Sequence, residues 1–169
     1  MKTLTVTRAD ILSWEPCADY PERLPGLLPG RANKRWSALA IIEAGKVGMV
    51  PTEDVFWVVL RPELISEHDL YELACRCASR ALREERKAGR EPDPRSWAAI
   101  ETRRAWLRGD MSDEDLSAAE SVARSAAWSA ARSAAWSAPR SAAESAARSA
   151  AWSWQLACIV RLLKTRGYE

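Results

Sequence analysis

The chain has 169 residues, enough for one domain with a sizeable core, or one domain with a helical extension. Its 25 basic and 23 acidic residues leave a formal charge of +2, which excludes a global electrostatic attraction to nucleic acid or to an anionic membrane. Nine tryptophans stand against one phenylalanine, and alanine is concentrated in the C-terminal half, so the apolar content is ordinary in amount and uneven in kind.

Thr7-Arg8-Ala9-Asp10 reads as a capping box opening a short helix through Ile11, Leu12 and Trp14. Glu15-Pro16 should stop it, because the residue before a proline is pushed out of the helical region. Pro21, Pro25, Gly26, Pro29 and Gly30 predict a loop from Tyr20 to Arg31. A second short helix is expected from Trp36 to Ala44, with Gly45 as its left-handed cap.

The apolar run Val55 to Leu60 fits a buried strand or a buried helix. Pro51 followed by Thr52, Glu53 and Asp54 supplies a helix-opening proline and first-turn acids, which favours helix. No second strand-like segment is evident to pair with it, and Pro62 ends it. Ser66-Glu67-His68-Asp69 forms another capping box, with helix predicted to about Lys87 and a buried face of Leu70, Leu73, Ala74, Cys77 and Ala81. Asp93-Pro94 opens the next helix, which carries Ile100, Trp106 and Leu107 and closes at Gly109. Trp14, Trp57 and Trp106, with apolar neighbours on these helices, read as core.

A third capping box at Ser112-Asp113-Glu114-Asp115 leads into a tract in which serine recurs every fourth residue from Ser117 to Ser153. Alanine fills most of the intervening positions and has no side-chain entropy to lose, so the tract should be helical. Pro139 would remove a hydrogen bond and clash with the preceding turn, so two helices broken near it are expected. The second should continue through Trp154, Leu156, Ile159 and Leu163 to Gly167. Together these elements predict an all-α fold: an N-terminal helical region over 1–111, with short helices, loops and two longer helices, and repeat helices over 112–169 packed on it as one folded unit.

A four-residue repeat advances about 400° and drifts about 40° each time, so no single face is purely one residue type. In the variable slots of the tract Trp128, Trp136 and Trp152 alternate with Arg124, Arg132, Arg140 and Arg148, with Glu120 and Glu144 interspersed. Each Trp thus has an Arg four residues away, close enough for cation–π stacking worth about 0.5–1 kcal/mol at an exposed site. The plainest account is structural, with Trp as a spacer in an alanine core and Arg stacked over it. A Trp–Arg surface is also suited to a binding partner, and on that reading Arg124, Trp128, Arg132, Trp136, Arg140 and Arg148 are the candidate partner-binding residues.

Chemistry-bearing residues are sparse. Glu53/Asp54 and Asp113/Glu114/Asp115 are the nearest carboxylate clusters, and both sit where first-turn acids cap helices, so no catalytic residues are assigned. His68 reads as a solvated first-turn residue. Cys75 and Cys77, two apart on a helix, diverge by about 200° and cannot chelate one ion together. No metal and no cofactor are expected, and the thiols, Cys17 and Cys158 included, read as reduced residues of a cytoplasmic protein. Met1 to Asp10 lacks the apolar stretch of a signal peptide, and no apolar run approaches about 20 residues, so no membrane association is predicted.

Several segments resemble one family in order along the chain. They are Leu12-Ser13-Trp14-Glu15-Pro16-Cys17, the stretch from Val50 to Arg61, the helix Leu70 to Ala81, the stretch Ile100 to Gly109, and the Ala/Trp tail. They are similar to immunity proteins of the Imm-5-like type from bacteria and bacteriophages. The regular serine is a departure, since that family more often shows Ala, Asp or Glu there. The resemblance implies an all-helical, non-enzymatic protein that neutralises a toxin or another effector by binding it, as an immunity protein or a phage anti-defence inhibitor. It supplies no catalytic residues. The expected partner is therefore a protein, with a nucleotide, signalling molecule or nucleic acid held by the Arg and Trp slots as the alternative. The Ala-rich helices also offer a face for homo-oligomerisation.

Overall fold

A computed structural model of the chain describes residues 4–16, 20–48, 50–117 and 142–168, with residues 142–149 described through their backbone alone. The chain divides into two compact units, Met1–Leu70 with Trp152–Glu169, and Tyr71–Ala151. Both are mainly helical. No helix among the described residues is long and apolar enough to cross a membrane.

In the first unit, β1 (Thr5–Val6) pairs antiparallel with β2 (Trp36–Ser37) in the register Thr5↔Ser37 and Val6↔Trp36. The sequence showed no strand, and two-residue strands are too short for an alternating pattern to register. Arg35 reinforces the pairing by donating to the Thr5 hydroxyl and carbonyl at 2.7 and 2.9 Å. Helix α1 (Arg8–Leu12) begins with the capping box expected at Thr7 and Asp10. It ends with Ser13 as its C-cap, and Glu15 then takes a left-handed φ of 53° ahead of Pro16.

Tyr20 to Leu27 is helix α2, not the loop the prolines predicted. Tyr20, Leu24, Leu27 and the following Leu28 are buried, an i, i+4, i+7, i+8 stripe that holds the segment against the core. Pro21 falls in the first turn, where a missing N–H costs nothing, and Pro25 is tolerated in a helix stabilised by packing rather than propensity. Helix α3 (Ala38–Val47) packs on both α2 and α4 (Thr52–Val59). Its N-cap is Ser37, whose hydroxyl accepts from the Ala40 amide, so the helix starts two residues later than Trp36.

Gly45 does not cap α3; it is buried inside the helix, whose C-cap is Gly48 with an ordinary right-handed φ. A side chain at Gly45 would place its Cβ 2.6 Å from Val55 Cγ2, so glycine here permits the close approach of α3 and α4. The C-terminal helix α7 (Ala142–Thr165) contributes Ile159, Leu162 and Leu163 to the core of this unit, beside which Ile11, Ile41, Ile42, Val58, Leu64 and Ile65 are also fully buried.

Helix α5 (Glu67–Lys87) starts where Ser66 and Asp69 predicted and continues into the second unit. The Ser66 hydroxyl accepts from the Asp69 amide and donates to its carboxylate, while the Ser66 amide donates to the Tyr168 hydroxyl. Its buried face differs from the expected one: Leu73, Cys75 and Ser79 are buried, while Ala74 and Ala81 are exposed. Arg104 of α6 (Pro94–Arg108) donates to the Ser79 hydroxyl at 2.7 Å, and that hydroxyl donates to the Cys75 carbonyl at 2.8 Å. Helix α6 has the caps read from the sequence, Asp93 before Pro94 and Gly109 in the left-handed region at φ 80°. Ser112 caps the next helix where expected, its hydroxyl accepting from the Asp115 amide and donating to the Asp115 carboxylate, and residues 113–117 are helical.

Candidate functional site

The residues that carry binding chemistry in the first unit gather where α1, α2 and α4 end or begin. Trp57 on α4 lies 5.9 Å from Trp14 and 4.8 Å from Tyr20 between ring centroids, both pairs tilted rather than parallel. Such geometry sets the electropositive edge of one ring toward the face of another. Arg61 follows Trp57 by four residues, one helical turn, and its guanidinium lies 4.5 Å from the Trp57 centroid and 5.2 Å from that of Trp14. Its Nε donates to the Trp57 carbonyl at 3.2 Å, so the same cation covers two indoles and satisfies a carbonyl at the C-terminal end of α4.

Beneath this stack Tyr20 is buried and donates its hydroxyl to the Asp54 carbonyl at 3.1 Å. Burial, with the nearby Asp54 charge, holds its phenol well above the usual tyrosine range. Asp54 is itself buried, and Arg23 pairs with its carboxylate at 3.0 Å. The upper surface stays open. Trp14, Trp57 and Arg61 are partly exposed, against the expectation of core tryptophans. Their chain neighbours Leu12 and Leu60 are 43% and 38% exposed, two of the four large apolar side chains left exposed among the described residues.

The second unit repeats the motif. Arg103 lies 4.2 Å from the Tyr71 ring centroid and 5.1 Å from that of Trp106, while the two rings meet edge to face at 5.6 Å. Trp106 is partly exposed, and its indole N–H donates to Asp113 at 2.6 Å.

A different surface follows α7. A groove of about 540 Å³ runs along the helix, with Leu156, Ala157 and Val160 as its floor and Lys46, Arg161 and Lys164 among its lining residues. Among the described residues no carboxylate lines it.

Of the six residues assigned to a partner surface from the sequence, Arg124, Trp128, Arg132, Trp136 and Arg140 lie outside the described residues, as does the break at Pro139. Arg148 lies on α7, where only the backbone is described. Arg61, Arg103, Tyr20 and Tyr71 were not singled out, although Trp57/Arg61 has the four-residue spacing read in the repeat. Cys17 also falls outside the described residues.

Three of the five carboxylates considered for catalysis have structural partners: Asp54 with Arg23, Asp113 with Trp106, and Asp115 with Ser112. Among the described residues, three ligand atoms of His68, Asp69 and Glu72 come within 4.8 Å of one another on the first turns of α5. Asp69 already accepts from the hydroxyls of Ser66 and Tyr168, and Glu72 accepts from Arg76. His68 is exposed, as expected of a first-turn residue. Cys75 is buried, and that burial pushes its thiol upward despite Arg104 and Arg103 nearby, which leaves it a poor nucleophile.

No family model matches the chain, and no curated protein or solved structure matches it either.

Proposed function

We propose that the chain is a non-enzymatic binding protein, of the immunity or phage anti-defence kind, that neutralises an effector by covering it with a helical surface. The observation that carries this reading is Arg61 lying over both Trp14 and Trp57 at a partly exposed surface. Trp, Tyr and Arg are the residues in which interface binding energy concentrates. Here they are already stacked, so little side-chain freedom remains to be lost when a partner arrives. Leu12 and Leu60 extend the same region with exposed apolar area.

In this reading the repeat forms two Ala-rich helices broken near Pro139, and a subset of Arg124, Trp128, Arg132, Trp136, Arg140 and Arg148 adds to the partner surface. The protein acts in the cytoplasm. A nucleotide is the competing ligand, and it fits the described residues less well: the faces of Trp14 and Trp57 are taken by Arg61, and Tyr20 is buried against Trp57.

Affinity capture from a lysate of the source cells tests the proposal, with mass spectrometry of both proteins and small molecules. The wild-type chain should retain a protein that a Trp14→Ala, Arg61→Gln variant of unchanged melting temperature retains poorly. A nucleotide as the sole specific ligand would replace this reading with the alternative. Equal retention by the variant would show that the Trp14–Trp57 surface is not the site.

A further inference from the structure

We infer that the groove along α7 is a docking site for an acidic amphipathic helix of a partner protein. The inference rests on reading the chain as a binding protein, but it concerns a surface that shares no residue with the Trp14–Trp57 stack.

The sequence of α7 builds this face by register. Ile159, Leu162 and Leu163 point into the core. Leu156 and Val160, four apart, lie on the flank of that stripe and remain partly exposed, while Ala157 and Lys164 stand further round the cylinder. The apolar surface thus continues past what the fold buries. Apart from Lys46, every described residue lining the groove belongs to α7. A trough built on one helix is open along its length and does not enclose a compact ligand, as small-molecule sites do. A helix laid alongside would meet it through side chains at i, i+3, i+4 and i+7, and Ala157 leaves room for close approach.

Charge selects among helices. Lys46, Arg161 and Lys164 are all exposed cations, and among the described residues no carboxylate lines the groove. Lys46 pairs at 2.9 Å with Glu43, also exposed, an ion pair of the kind that contributes little and is readily exchanged for a partner's carboxylate. The complementary surface is an apolar stripe edged with Asp or Glu.

Selection of a displayed library of helical peptides on the full chain tests the inference. Enriched peptides should carry apolar residues at i, i+3, i+4 and i+7 flanked by acids. Arg161→Glu with Lys164→Glu, both solvent-exposed, should weaken them by about tenfold or more without changing the melting temperature. Peptides with the flanking acids changed to Lys should bind that variant better than they bind the wild type. Enrichment of basic or uncharged peptides, or acidic peptides indifferent to the charge reversal, would overturn the inference. So would retention on phosphatidylserine vesicles with no peptide enriched. If the groove fails while a captured target still depends on Trp14 and Arg61, only this inference falls. If peptides behave as described and no protein target is captured, the groove assignment stands and the proposed function does not.

Discussion

The Tyr168 hydroxyl donates to Asp69 at 2.6 Å and accepts the Ser66 amide at 2.9 Å, joining residues 99 apart in the chain at the first turn of α5. Asp69 is 2% exposed, and Arg166 lies 3.4 Å from its other oxygen. The end of the chain therefore completes a cap that local sequence only begins. Tyr168→Phe keeps the ring and leaves a buried carboxylate and an amide each short of a partner. It should destabilise the fold by about 1–3 kcal/mol in chemical denaturation. A change within about 0.5 kcal/mol, the range of an ordinary surface substitution, would show that water replaces the hydroxyl at no cost.

Gly45→Ala sets helix propensity against packing. Propensity alone favours Ala by about 1 kcal/mol. The new Cβ would sit 2.6 Å from a γ-carbon of the stiff, buried Val55. Packing should win, with a net loss of about 1–3 kcal/mol, and adding Val55→Ala should make the cost of the glycine replacement disappear. A stabilised single variant would mean that α3 and α4 separate easily.

Tyr20 gives the fold an alkaline limit. Its phenol pKa is raised in the folded state, chiefly by burial, so the folded state keeps a proton that the unfolded chain releases near pH 10. Below that pH there is no linkage. As pH rises through the unfolded value toward the higher folded one, stability falls. Tyr20→Phe should cost stability at neutral pH through the lost bond to Asp54, yet lose less than the wild type between neutral pH and pH of about 11. Parallel stability–pH curves for the two proteins would refute this.

Cys75→Ala with Cys77→Ala should cost about 1 kcal/mol through lost packing around the buried Cys75, and should leave binding intact. Metal analysis of the wild type should find no stoichiometric zinc or iron. A folded double variant with abolished binding would assign these thiols a role that their burial and spacing do not suggest.

The helices that the sequence located well have their determinants within a few residues. Thr7/Asp10, Ser66/Asp69, Asp93/Pro94 and Ser112/Asp115 are short-range caps, and they open helices where expected. Where the determinant was tertiary, local signals misled. The prolines of α2 were outweighed by the stripe of Tyr20, Leu24, Leu27 and Leu28, and Gly45 serves a helix contact rather than a cap. The candidate site was half legible. The Trp57/Arg61 spacing is visible in the chain, but the arrival of Trp14 and Tyr20 on the same ring depends on how α1 and α2 return to α4. The Trp–Arg slots of the repeat from Arg124 to Arg140 fall outside the described residues.

The central claim is that the surface roofed by Arg61 binds a protein partner. Titration calorimetry of the captured target against wild type, Trp14→Ala and Arg61→Gln tests it most directly, with melting temperatures as the control for folding. Each variant should weaken binding by about 1–3 kcal/mol, the range of an interface hot spot. Affinities equal to the wild type for both folded variants would contradict the claim.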